Sequence, residues 1–137
     1  MFLNISGLIS IDCGTEKDYV DERTGIFFKA DTDFVSTGEI HNVSPEYSYK
    51  DVRVGLSANS LRSFPQGRKN CYTLKPDDQS KHRYYHIRAY FHYGNYDGNN
   101  TFPIFNVYVG VNYWAKIRNN LNLIEGVHYI LADYLPK

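Results

Sequence analysis

The chain has 137 residues, enough for one domain, and at this size about two-thirds of the surface exposed by the unfolded form can be buried. Its 15 basic and 15 acidic residues cancel, so the basic footprint of a nucleic-acid-binding surface is missing. No apolar run is long enough for a membrane-spanning helix, and the opening Met1-Phe2-Leu3-Asn4 lacks the basic and apolar regions of a secretory signal.

Short β-like segments punctuated by turn residues run the length of the chain, which predicts an all-β sandwich. After a flexible stretch over residues 1–7, Leu8 to Asp12 reads as a first strand ending at Cys13-Gly14, and Gly25 to Lys29 as a second. Leu61 to Phe64 and Cys71 to Leu74 flank the turn Pro65-Gln66-Gly67 and predict a hairpin. Tyr84 to Tyr93 has the clearest period of two: Tyr85, Ile87, Ala89, Phe91 and Tyr93 share the inner face, and Tyr84, His86, Arg88, Tyr90 and His92 the outer one. Ile104 to Val111 alternates as well. A convincing amphipathic helix is absent: Tyr113 to Leu123 is the best candidate, weakened by Asn119-Asn120, and Glu125 to Leu131 reads as one more strand.

Candidate chemistry is sparse. His82, His86 and His92 lie on or beside one strand, where four residues span about 13 Å, too far for two side chains to share an ion; they read as exposed strand histidines. Asp31-Thr32-Asp33 reads as a turn or a satisfied salt bridge, because glycosidase carboxylates normally face each other across a cleft. No nucleophile, phosphate-binding, metal or cofactor motif occurs, so a non-catalytic protein without cofactor is expected. Cys13 and Cys71 are compatible with one disulfide or with two free thiols; pairing would favour the fold by about 4 kcal/mol through loop entropy. Asn4, Asn42 and Asn99 head glycosylation sequons, a mild pointer to a secreted origin.

The segment Tyr93-Gly94-Asn95-Tyr96-Asp97 offers aromatic rings with amide and carboxylate groups on a loop held by a strand. Such a set suits a sugar, whose ring has an apolar face and a rim of hydroxyls. Turns are also rich in these residues for backbone reasons. Alternation places Phe91 and Tyr93 inside and leaves Tyr96 as the ring most open to a ligand, with the Asn99 sequon beside it.

Six motifs in order, "ISIDCG", "DTDF", "TGEIHNVSPEY", "LRSFPQGRKNCYTL", "AYFHYGNYDGNN" and "FNVYVGVNYW", closely resemble the malectin-like domain of plant leucine-rich-repeat receptor-like kinase ectodomains. The resemblance runs from residue 8 to about 135. It implies a jelly-roll-like β-sandwich related to malectin, a lectin of the endoplasmic reticulum, and an extracellular, non-catalytic role in binding a carbohydrate or peptide ligand or a partner receptor ectodomain. Malectin contacts sugar through a Tyr-Phe pair just after the equivalent strand, and Asn95-Tyr96 falls at that place. Relatives carry two such units in tandem and continue past the "DYLP"-like stretch. Residues 1–137 are therefore expected to be a single first unit without its closing strand, with membrane attachment supplied only by the rest of a longer receptor.

Overall fold

The computed structural model describes residues 8–48, 56–74 and 84–129. The described residues form nine strands and three short 3₁₀ segments. This is an all-β protein, as expected for a malectin-like β-sandwich, and it divides into two compact units, residues 1–74 and 75–137.

In the first unit, β1 (Ile11–Asp12), β2 (Tyr19–Val20) and β3 (Phe27–Ala30) form a sheet in which β3 is central, parallel to β1 and antiparallel to β2. Asp21 builds the β2–β3 turn. Its N–H donates to the Ile26 carbonyl, its own carbonyl accepts from Gly25, and its carboxylate accepts the Arg23 N–H at 3.0 Å. A second ribbon pairs β4 (Glu39–Asn42) with β5 (Ser60–Ser63), Glu39 opposite Ser63 and Asn42 opposite Ser60. Two features bind ribbon to sheet. Gly14 has φ +133°, and a Cβ there would fall 2.4 Å from the Leu61 backbone nitrogen, so only glycine fits the contact. Asp31, fully buried, accepts from Arg62 Nε at 2.6 Å and Nη2 at 2.7 Å and from the Tyr72 hydroxyl at 2.8 Å. The forked geometry matches guanidinium to carboxylate.

Asp31–Asp33 is thus a 3₁₀ turn carrying a satisfied salt bridge. The hairpin expected between 61–64 and 71–74 does not form: β5 pairs with β4, and residues 71–74 carry no strand. Tyr72 turns in to Asp31 instead, and the neighbouring Thr73 N–H donates to the Phe34 carbonyl at 2.8 Å.

In the second unit, β6 (Tyr84–His92) and β9 (Leu121–Tyr129) pair antiparallel along nine residues, and β7 (Phe105–Val109) pairs with β8 (Asn112–Ile117) through a bulge at Val107/Tyr108. Edge-to-face contacts of Phe91 with Phe105 (5.5 Å) and Trp114 with His128 (4.6 Å) join the two ribbons. Gly126 makes room there: an added Cβ would meet His128 Nε2 at 3.3 Å and Trp114 Nε1 at 3.4 Å. Tyr85 and His128 are cross-strand partners, and Tyr85 Oη and His128 Nε2 are buried without a hydrogen-bond partner.

The alternation of Tyr84 to Phe91 is as read from the sequence. His92 is a correction: it is buried, at 9% exposure, because the chain turns inward there and residues 92–95 are all buried. The best helix candidate, 113–123, is not helical, in keeping with a sequence that shows no convincing amphipathic helix. An isolated helix of that length is marginal, whereas the β7 edge offers a full hydrogen-bonded partner, so the segment forms β8 and the start of β9. Residues 130 and 131 of the expected last strand, together with residues 1–7 and His82, lie outside the described residues.

Two substitutions test the first unit. Gly14→Ala meets the Leu61 backbone in a left-handed conformation and is expected to cost on the order of 3 kcal/mol in urea unfolding. Arg62→Met leaves Asp31 buried without its charge partner and is expected to cost about 3–5 kcal/mol by the same measurement.

Candidate functional site

Each unit presents candidate surfaces. The first holds an open hollow of about 420 Å³ lined by Asn42, Val43, Pro45, Ser48 and Asn59, and a more enclosed cavity of about 210 Å³ lined by Thr37, Gly38, Glu39, Phe64, Pro65 and Gln66, at the Glu39–Ser63 end of the β4–β5 ribbon. Its walls are held from below. Arg62, paired with Asp31, uses Nη1 to donate to the carbonyls of Thr37 and Gly38, each at 3.3 Å. Thr37 Oγ1 donates to Asn70 Oδ1 at 2.9 Å, and Asn70 Nδ2 donates to the Gln66 carbonyl at 3.3 Å. The Phe64 ring is braced edge-to-face by Tyr72 at 6.1 Å. Phe64 and Pro65 supply apolar surface, and Glu39, Gln66 and Thr37 supply a carboxylate, an amide and a hydroxyl.

The sequence does not single out this set, whose members lie on two segments some 25 residues apart in order. The usable signal is local: "STGEI" and "SFPQG" are both turn-rich flanks of short strands, and β4–β5 pairing brings them together.

Behind the cavity lies a polar cluster. Tyr19 donates to Asp12 at 2.7 Å. Burial raises the Asp12 carboxyl above its ordinary range, and burial also raises the Tyr72 phenol, with Cys13 and Asp31 adding to the shift. Cys13 is exposed as a residue, yet its thiol is crowded against this cluster: burial pushes it up to about 11, against the opposing effect of the Tyr72 hydrogen bond. A thiol this reluctant to ionise is a poor nucleophile. Cys13 and Cys71, the candidate disulfide partners, are both free thiols in this structure.

In the second unit the loop after β6 is wired internally. Tyr93, 6% exposed, donates its hydroxyl to Asp97 Oδ1 and lies 3.2 Å from Asn95 Oδ1. Asn95, also buried, accepts the Asn100 N–H at 2.9 Å. Asp97 accepts the Asn99 backbone N–H at 3.0 Å and its Nδ2 at 3.1 Å. From β9's approach, Asn120 holds the loop base through Tyr93 N–H and Gly94 N–H, each at 2.9 Å. Two turns close by Tyr96 N–H to the Tyr93 carbonyl and Gly98 N–H to the Asn95 carbonyl. Positive φ at Gly94, Asn95, Gly98 and Asn100 explains why Gly and Asn dominate the segment.

Of the four ligand-binding candidates, Tyr93 and Asn95 therefore serve the loop's interior, and both Asp97 oxygens are engaged within it. Tyr96 is half-buried, edge-to-face with Tyr93 at 5.6 Å. Among the sequon asparagines, Asn42 and Asn99 are exposed and Asn4 lies outside the described residues. Among the described residues, no group of His, Cys, Asp and Glu is arranged to hold a metal ion, and no helix is long and apolar enough to cross a membrane.

The Tyr93 hydrogen bond holds the Asp97 carboxyl below the usual carboxylate range. A depressed folded-state pKa contributes stability that is complete above the unfolded value of about 3.9 and is lost as pH falls through the folded value. Acidification below pH 4 is therefore expected to release the loop, seen as lost protection of the Asn99 amide in hydrogen exchange, and Asp97→Ala is expected to show the same loss at neutral pH.

The malectin-like domain family matches residues 11–133. A putative leucine-rich repeat receptor-like protein kinase of Arabidopsis thaliana is 39% identical over 136 residues, covering 95% of this chain and 15% of the relative. A probable receptor-like serine/threonine-protein kinase with leucine-rich repeats from the same plant is 47% identical over 114 residues, covering 82% and 12%; another is 34% identical over 139 residues, covering 96% and 15%. The chain thus spans less than a fifth of the length of these relatives. No solved structure matches. Motif order, an all-β architecture and a match across both units agree: this chain belongs to the malectin-like domain family.

Proposed function

We propose that the chain is a non-catalytic, extracellular ligand-sensing module of a receptor-like kinase, and that its ligand is a carbohydrate. The observation that carries this reading is the braced cavity at Phe64, where an aromatic ring and Pro65 adjoin Glu39, Gln66 and Thr37. An apolar ring face with polar groups around it is the chemistry a pyranose requires: stacking on its C–H face, hydrogen bonds to its hydroxyls. Tyr96, on the loop of the second unit, is a separate aromatic candidate for ligand contact.

A second reading, a peptide- or protein-binding module that engages partner receptor ectodomains, draws on a different observation. The outer face of β6–β9 carries exposed Tyr84, Leu123 and Val127, at 68%, 56% and 67%. Apolar side chains this open are a feature of protein interaction surfaces.

A glycan array followed by calorimetry separates the two. The carbohydrate reading expects saturable binding to at least one oligosaccharide, weakened roughly tenfold (about 1.4 kcal/mol) by Phe64→Ala, with no loss for Glu22→Ala in an exposed turn. No binding across the array, together with glycan-independent capture of a receptor ectodomain that is lost in Leu123→Asp, overturns it in favour of the second.

A further inference from the structure

We propose that Asn99 is an N-glycosylation site whose glycan is held in a fixed direction by Asp97. Glycosylation requires the compartment that the extracellular reading above assigns, and on that point it rests on that reading. The geometry itself comes from the loop. Asn99 is exposed, within Asn99-Asn100-Thr101. Its side-chain nitrogen carries two hydrogens, and one bond is made, to Asp97 Oδ2 at 3.1 Å. The second N–H is the attachment point. Its backbone N–H binds the other oxygen of the same carboxylate at 3.0 Å, so main chain and side chain of Asn99 are gripped together. Asp97 is itself anchored by the buried Tyr93 hydroxyl. The Thr101 hydroxyl, which the acceptor motif requires, lies on the same turn and donates to the Asn99 carbonyl at 3.2 Å.

In the transfer, the Asn99 amide nitrogen bonds to the anomeric carbon of an N-acetylglucosamine-terminated oligosaccharide. The bond from that carbon to the pyrophosphate oxygen of the lipid carrier breaks, and the amide proton leaves with the transferase's base. One N–H remains on Nδ2, enough to keep the Asp97 bond. Asn42 is less suited. It ends β4 opposite Ser60, and its sequon serine precedes Pro45, whose ring confines Ser44 to the extended backbone found there, φ −58° and ψ 145°. A glycan on Asn99 covers one side of the loop that carries Tyr96.

The test is to route the chain through the secretory pathway of plant cells behind an added secretion signal and to map site occupancy by mass spectrometry after enzymatic deglycosylation in heavy-oxygen water. Expected are occupancy at Asn99, its loss in Asn99→Gln and in Thr101→Ala, and its persistence in Asn42→Gln. Release of the glycan by peptide N-glycosidase from the native protein is expected to be at least several-fold slower than from Asp97→Ala, with equal rates once both are denatured. An unmodified Asn99 in secreted, folded chain overturns the acceptor assignment, and equal native release rates overturn the role of Asp97. Occupancy in the routed chain leaves the site standing even if the plant's own protein proves to be retained inside the cell; that outcome sinks the extracellular reading alone.

Discussion

The first unit depends on a charge buried among few apolar neighbours. Asp31 is the one large side chain fully out of water among the described residues, while the buried apolar residues around the chain are mostly small, such as Ala30, Val35, Val43 and Ala58. A carboxylate in that position is tolerable only if every oxygen is answered, and Arg62 and Tyr72 answer both. Because Arg62 stands on β5, Asp31 follows β3 and Tyr72 lies in the segment after β5, the same requirement fixes three stretches of chain at once. The pair is better understood as a device that specifies geometry than as a source of net stability, since an apolar replacement of similar volume would avoid the desolvation cost.

That device reaches the surface. The guanidinium that neutralises Asp31 also holds the Thr37 and Gly38 carbonyls, and Tyr72 braces Phe64. The walls at Thr37, Gly38 and Phe64 are therefore fixed in advance by contacts to Arg62 and Tyr72, an arrangement of the kind that lowers the entropic cost of binding. The loop after β6 follows the same logic with weaker means: a buried Tyr93 hydroxyl, an exposed carboxylate and four left-handed positions give one shape without a large core beneath it.

Some of this was legible from residues alone and some was not. The inner and outer faces of Tyr84 to Phe91 follow from strict alternation, and Tyr93 falls inside as the pattern requires, whereas His92 departs from it. Family membership was legible because six ordered motifs carry it. The 71–74 strand failed because its alternation is that of a segment with one buried anchor, Tyr72, and a period of two over four residues does not distinguish that from a strand. Residues 113–123, the best helix candidate in a chain with no convincing amphipathic helix, form β8 and the start of β9 because helix propensity is a weak prior beside the pairing offered by β7. The cavity was hidden for a different reason: its residues belong to flanks of two strands, and their proximity is a fact of pairing, which no local pattern encodes.

Trp114 is the chain's single tryptophan. It packs on His128 within the second unit, at the seam between its two ribbons. Tryptophan emission is therefore an optical reporter of that unit alone, with the first unit visible only through its tyrosines and backbone. Melting followed at both signals would reveal whether the two units unfold as one cooperative body or in succession, and so whether a receptor could loosen one of them while the other holds its shape.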